Sequence, residues 1–370
     1  MQDIIEEVLS LIDINNEVLE IGKERQSKIW KNEKVDFIPI ILSQSEIPDR
    51  TKYPKFNMKE QYFNKEYMLY EQLWEKVFVS KGKSDAQLSV RVNTGTGTPA
   101  TVFGLKQTVV ENDLPWLKEH LSKEEISKLE IADFKNIEFL GEMPRILEYI
   151  KFYKEKLKKK INIFLPDTQG PFDIAHLVRG NDIFTDLYDD PSFVHHLMEL
   201  STYVYITISK IMKEMIGEQY NNGYHNTLYM DGVGFRICED TDTLLSPNLF
   251  EKFVLPYLEK ITKELGNVWV HFCGDGNHIL NMILNIEGVK GVNFGNPEKF
   301  EPKKTMEKII KKNKVYYGTW PINNNESVEE YFKRVLSYLN GKKGNLIFIC
   351  GNIPKDIPRQ QVIDIWHSLQ

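Results

Sequence analysis

The feature that most constrains this chain is an alternation. Eight short runs rich in Val, Ile, Leu, Phe and Tyr are separated mostly by stretches with apolar residues at helical spacing. The runs lie at 37–42, 87–92, 161–165, 227–230, 268–274, 289–294, 315–317 and 346–349. Strands joined by helical crossovers pair in parallel with right-handed connections. Eight of them predict an α/β fold, a closed (β/α)8 TIM barrel. Residues 1–35 then form an N-terminal helical extension and residues 36–370 the barrel. A doubly wound open sheet is the alternative if one strand is miscounted.

Helix punctuation agrees with this division. Asp190-Pro191 and Ser246-Pro247 each pair an N-cap with proline at the first helical position. Gly217 and Gly266 stop the two helices, and Ser327-Val328-Glu329-Glu330 is a capping box. Pro256 falls inside the second helix, where a missing backbone donor predicts a kink. Lysine-rich stretches at 157–160 and 311–314 fall where helices should end, a position that the helix dipole favours for cations.

A net charge of -6 gives no general attraction to nucleic acid. No apolar run approaches the roughly 20 residues needed to span a bilayer, and residues 1–23 lack a signal-peptide pattern. Only three cysteines occur, Cys238, Cys273 and Cys350, too few and too odd for a disulfide scaffold. A reducing, cytoplasmic setting is expected.

In a barrel the active site forms where strand C-termini open into loops. The residues expected there include Asn93, Asp167, Gln169, Asp231, His271, Cys273, Asn293, Trp320 and Cys350. On a strand, residues i and i+2 share a face, so His271 and Cys273 should point the same way, opposite Val268, Val270 and Phe272. An isolated His-x-Cys is more often a buried histidine beside a small cysteine. With Cys350 at the end of the last strand, three zinc ligands and one open position become the sharper reading. Strands five and eight are not neighbours in such a barrel, so loop residues must reach inward for these ligands to converge.

Other candidates read differently. Asp231, ending the fourth run, is a possible fourth ligand, a partner of His271 or a loop cap. Asp167 and Gln169 sit in a Pro-Asp-Thr turn. His278 reads as a surface or cap residue, and His195 and His196, about 100° apart on a helix, cannot share a metal. Cys238 falls in what reads as a polar loop, with no partner at metal spacing. The Gly/Thr loop at 93–99 lacks the Gly-Lys-Ser/Thr of a nucleotide-binding loop.

The pattern His271-x-Cys273-Gly274, followed by Cys350-Gly351-Asn352, resembles the zinc signature of cobalamin-dependent methyltransferases. These belong to the uroporphyrinogen decarboxylase superfamily, and the likeness is nearest to its methylcobalamin:coenzyme M methyltransferases. Gly170-Pro171-Phe172 leading to Gly180, Ser246-Pro247 with Pro256, and the Gly-Asn-Ile-Pro turn at 351–354 support it. The likeness runs from about residue 160 to 355 and implies a (β/α)8 barrel. It implies that His271, Cys273 and Cys350 hold Zn2+. From their rim positions, Asp231 and Asp167 are the candidate catalytic residues, and Asn93, Gln169, Asn293 and Trp320 the candidate lining of the substrate pocket. The implied reaction moves a methyl group between a corrinoid, on cobalamin or a corrinoid protein, and a zinc-activated small thiol. Coordination to zinc deprotonates a thiol that is otherwise mostly neutral at pH 7. Two other readings stand beside this one. A uroporphyrinogen decarboxylase uses no metal, but Arg25, Arg50 and Arg91 are scattered here and the Arg-Gln-Ala-Gly-Arg motif is missing. A metal- or corrinoid-binding protein without turnover would carry the same ligands.

Overall fold

The computed structural model describes residues 4–42, 50–351 and 357–370. Its parallel strands are β1 (Ile40–Leu42), β2 (Ser89–Val90), β3 (Asn162–Ile163), β4 (Phe235–Cys238), β5 (Val268–Phe272), β6 (Val289–Phe294), β7 (Val315–Gly318) and β8 (Leu346–Cys350). Six of them form one sheet in the order β1-β8-β7-β6-β5-β4, and β2 pairs with β3. Backbone bonds bridge both seams. Asp85 N–H donates to Ile40 O (3.0 Å) between β1 and β2, and Gly170 N–H donates to Cys238 O (2.6 Å) between β3 and β4. The barrel expected from the alternation is present.

The expected fourth strand is not where the apolar pattern put it. Residues 227–230 belong to an antiparallel hairpin, Asn222–His225 paired with Leu228–Asp231, and the barrel strand follows it as Phe235–Cys238. Asn226, at the hairpin tip, adopts the left-handed conformation (φ 54°) that such tight turns need. The true strand was hidden because Arg236 interrupts its apolar run. Its register, Arg236 opposite Trp269 and Cys238 opposite His271, makes it a full neighbour of β5.

Alternation then sorts the side chains. Val268, Val270 and Phe272 face outward into the layer between strands and helices, with Phe235, Ile237, Leu346 and Phe348. Trp269, Ile41, Val315, Tyr317 and Ile347 face inward and pack on Leu228 and Met230 of the hairpin and on Ile29 and Trp30. The hairpin is thus a plug at the end where strands begin. Helix α1 (Ile4–Leu11) contributes Ile5, Val8 and Leu9 to the outer core. Helix α2 (Asn16–Trp30) lies over the hairpin. Trp30 Nε1 donates to Tyr229 O (2.9 Å), and Gln26 Oε1 accepts Tyr229 N–H (2.6 Å).

The helix signals hold. Asp190, Ser246 and Ser327 cap their helices as the sequence predicts, and Gly217 and Gly266 follow the last helical residues with positive φ. Pro256 breaks the helix rather than bending it. The segment divides into Pro247–Phe253 and Leu255–Leu265, with Pro256 in the first turn of the second part, where its missing N–H costs nothing. Among the described residues, no helix is long and apolar enough to cross a membrane.

Candidate functional site

Above the plug, the inward positions become polar. Arg91 follows β2, Asp167 and Gln169 follow β3, Arg236 and Cys238 lie on β4, His271 on β5 and Asn293 on β6. Arg91, Arg236, Cys238, His271 and Asn293 follow from strand alternation, each an even number of residues from an inward neighbour, whereas Asp167 and Gln169 lie in the loop after β3, out of phase with its inward residue Asn162.

The imidazole of His271 is fixed by its neighbours. Asn293 Nδ2 donates to Tyr317 O (2.5 Å), so its Oδ1 faces His271 Nδ1 at 2.5 Å. That bond requires the proton on Nδ1 and leaves the Nε2 lone pair directed away from Asn293. Cys273 Sγ lies 3.5 Å from Nε2, and Asp240 Oδ1 lies 3.8 Å from it. Asp240 Oδ1 also accepts the Cys273 backbone N–H at 2.6 Å. Cys238 Sγ, a carboxylate oxygen of Asp240 and a ring nitrogen of His271 all fall within 4.8 Å of one another. Gly295 passes so close beneath Cys273 Sγ that a Cβ there would collide with the sulfur.

Burial and the Arg236 cation keep the His271 pKa below its ordinary value. Burial, then the Asp240 carboxylate, push the Cys273 thiol up to about 11. Burial holds Cys238 well above its usual range. Without a cation, the site is therefore a neutral imidazole beside two protonated thiols. Soft sulfur and imidazole donors suit zinc. A tetrahedral zinc with normal bond lengths sets a sulfur–nitrogen edge of about 3.6 Å, and the Cys273–His271 pair already meets it at 3.5 Å. The residues fit the metal.

The loop carrying Asp240 is laced to the helix Pro171–Arg179. Asp173 accepts the N–H groups of Asp240 (2.9 Å) and Thr241 (2.8 Å), and Glu239 accepts those of Phe172 (3.2 Å) and Asp173 (3.1 Å). Burial pushes Asp173 up to about 6. Toward the plug, Asp167 takes Arg236 at 2.8 Å and Arg91 at 3.3 Å, and Gln169 Nε2 donates to it at 2.7 Å. Burial opposes its charge, but Arg236 and Arg91 outweigh burial and hold Asp167 below the usual carboxylate range. A small cleft is lined by Arg91, Asp167, His225 and Arg236. Asn93 continues the inward face of β2, its Oδ1 buried with no hydrogen-bond partner among the described residues.

Three expected residues lie elsewhere. Asp231 ends the hairpin at the opposite end of the barrel, where Lys31 (2.7 Å) and Ser27 (2.5 Å) of and beside α2 engage its carboxylate. Its assignment to the rim fails with the assignment of 227–230 as a barrel strand. Trp320 is buried in the outer layer, with ring centroids 4.8 Å from Tyr316 and 6.4 Å from Phe294, not against the polar interior. Cys350 shares its strand face with Leu346 and Phe348, in the outer core, and does not join the ligand cluster among the described residues. Burial pushes its thiol up to about 12. The Gly-Asn-Ile-Pro turn falls, from Asn352 on, outside the described residues. His278 bonds Leu245 O (2.8 Å) as a cap. Sequence reasoning missed Cys238, Asp240, Arg236 and His225, all carried by or adjoining the strand it misplaced. A Cys-x-Asp alternation beside His-x-Cys was the available signal.

The model of the family described as uroporphyrinogen decarboxylase (URO-D) matches residues 22–352. The chain belongs to this family. Its fold is similar to that of a solved methyltransferase from Methanosarcina mazei, with a TM-score of 0.66 and 18% identity. The superposition covers 94% of this chain and 98% of that one. No curated protein sequence matches.

Proposed function

We propose that this family member is a zinc-dependent methyltransferase that moves a methyl group between a corrinoid and a small thiol. The observation carrying this reading is the pair His271 Nε2 and Cys273 Sγ, 3.5 Å apart at the loop end of the barrel. Asn293 fixes the imidazole tautomer. Family membership and the likeness to a protein named a methyltransferase support the reaction class.

Zinc, when bound, makes a coordinated thiol a thiolate at neutral pH. The chain's own residues do the rest. Asn293 holds the His271 proton on Nδ1 so that Nε2 stays a donor. Gly295 leaves room for Cys273 Sγ, and Asp240 fixes the Cys273 backbone. Asn93, Gln169 and the Arg91–Asp167–Arg236 network bound the space a substrate would enter. In the transfer a sulfur–carbon bond forms as the cobalt–carbon bond breaks, and the cobalt keeps the electron pair. A corrinoid protein is the expected donor, and the cytoplasm the expected setting.

The test is incubation of purified protein with methylcobalamin and a panel of small thiols. Thioether formation matched by cob(I)alamin is the expected result. Loss of carbon dioxide from uroporphyrinogen, with no thiol methylated, would instead assign the chain to the decarboxylases. Metal binding with neither activity would leave a binding protein.

A further inference from the structure

We infer that Asp173 is a positioning residue for the proposed metal site: its buried carboxylate fixes the loop that starts at Asp240, and through Asp240 it fixes the backbone of Cys273. The inference rests on the zinc reading in one respect, that Cys273 is a ligand. The chain of contacts is continuous. Asp173 Oδ2 accepts the Asp240 N–H at 2.9 Å, and Oδ1 accepts the Thr241 N–H at 2.8 Å. Asp240 Oδ1 in turn accepts the Cys273 N–H at 2.6 Å. The same loop touches the next residue. A Cβ on Gly274, whose φ is 93°, would lie 2.8 Å from Thr243 Oγ1, and that hydroxyl donates to Asp240 O at 2.8 Å. The Cys273-Gly274 turn is therefore seated on residues 240–243, and Asp173 holds those residues in place.

Asp173 is gripped in return. It lies in the first turn of the helix Pro171–Arg179, where Glu239 accepts the N–H groups of Phe172 (3.2 Å) and Asp173 (3.1 Å). A helix carboxylate binds loop amides while a loop carboxylate binds helix amides. Position 173 calls for a carboxylate, because two backbone donors need two acceptor oxygens and an asparagine offers one. Bonds from N–H groups to an ionised acceptor are also roughly twice as strong as neutral ones.

This clamp works against stability. Asp173, Glu239 and Asp242 are all buried, and both oxygens of Asp242 lack a hydrogen-bond partner among the described residues. Burial, then the Asp173 charge, push Glu239 and Asp242 well above the usual carboxylate range. Three crowded acids are a poor way to tie down a loop for rigidity alone. Local costs that a fold retains concentrate at functional sites. The function within reach of this loop is the placement of Cys273.

The experiment compares the full chain with Asp173→Asn and with Leu228→Ala, which is destabilised through the plug and serves as the control. Affinity for Co2+, read by thiolate-to-cobalt absorption, should fall about 10–100-fold in Asp173→Asn, the usual effect of losing a residue that orients a ligand. Leu228→Ala should bind as the parent does. In the metal-free chains, hydrogen exchange at the Cys273 amide should lose protection in Asp173→Asn. Parent-like affinity in Asp173→Asn, an equal loss in Leu228→Ala, or an unchanged Cys273 amide overturns the inference and leaves the zinc reading standing. A parent chain that binds no metal fails at the zinc reading, and the exchange comparison still decides whether Asp173 holds Cys273. If Asp173→Asn does not fold, exchange in the parent alone is decisive. The Asp240, Thr241 and Cys273 amides should then open together, with one shared opening free energy. A Cys273 amide that opens independently of the other two overturns the inference.

Discussion

Asp167 shows how much one side chain can hold in this barrel. It is the common partner of Arg91 and Arg236, with its side chain about a tenth exposed. Removing its charge leaves two guanidinium groups facing each other in the interior. Breaking one partner from a buried ion pair costs about 3–5 kcal/mol. Asp167→Asn is therefore expected to lose about 3 kcal/mol of stability at pH 7 by urea denaturation. The pH dependence has a definite sign. The folded-state pKa lies below the ordinary value, so the stabilisation is complete above about pH 4 and fades as pH falls through the folded pKa. The gap between parent and variant should narrow below pH 4. A gap that is constant with pH would show that the carboxylate's charge is not what matters. Asn293 acts differently, through orientation alone. Held by Tyr317 O, it determines which nitrogen of His271 carries the proton.

At the scale of elements, the hairpin from Asn222 to Asp231 decides which strand faces the site. Leu228, fully buried, packs in the inner cluster with Trp30, Trp269 and Tyr317. Truncating a buried leucine costs about 2–5 kcal/mol, depending on how far the cavity collapses. Leu228→Ala should lower stability by that amount in chemical denaturation yet bind metal as the parent does, because the donor cluster lies beyond the plug. Loss of metal binding at unchanged stability would contradict this separation of floor and site. The same hairpin marks the limit of what the sequence makes legible. Periodicity locates seven of the barrel strands because their inward and outward residues are both apolar or differ cleanly. It fails at Phe235–Cys238, where Arg236 belongs to an interior ion pair that no local pattern reveals. The error carried Asp231 into the site and left Cys238 out of it. Capping residues and helix-stopping glycines were readable because they act on neighbouring backbone groups. Pro256 was readable as a disruption but not as a break, which depends on how two helices pack.

For the molecule as a whole, the donor cluster links strands that the fold must hold together. β4 is the last strand of the large sheet, and its far side meets β3 through Gly170 N–H to Cys238 O, Arg236 to Asp167 and the lacing around Asp173. A ligand shared by β4 and β5 binds the folded chain and not the unfolded one. At a free concentration 1,000 times its dissociation constant, such a ligand adds about 4 kcal/mol. Chelation of zinc-loaded protein should lower the melting temperature, and re-addition of zinc should restore it. An identical melting curve before and after metal removal would place the ion outside the folded core. The plug has a further consequence, for traffic. With one mouth of the barrel filled by Leu228, Met230 and Trp30, reactants have the loop end as their shared doorway. On the proposed reaction, a broad macrocycle arriving first would stand in the way of a small thiol, so the smaller guest would have to enter first.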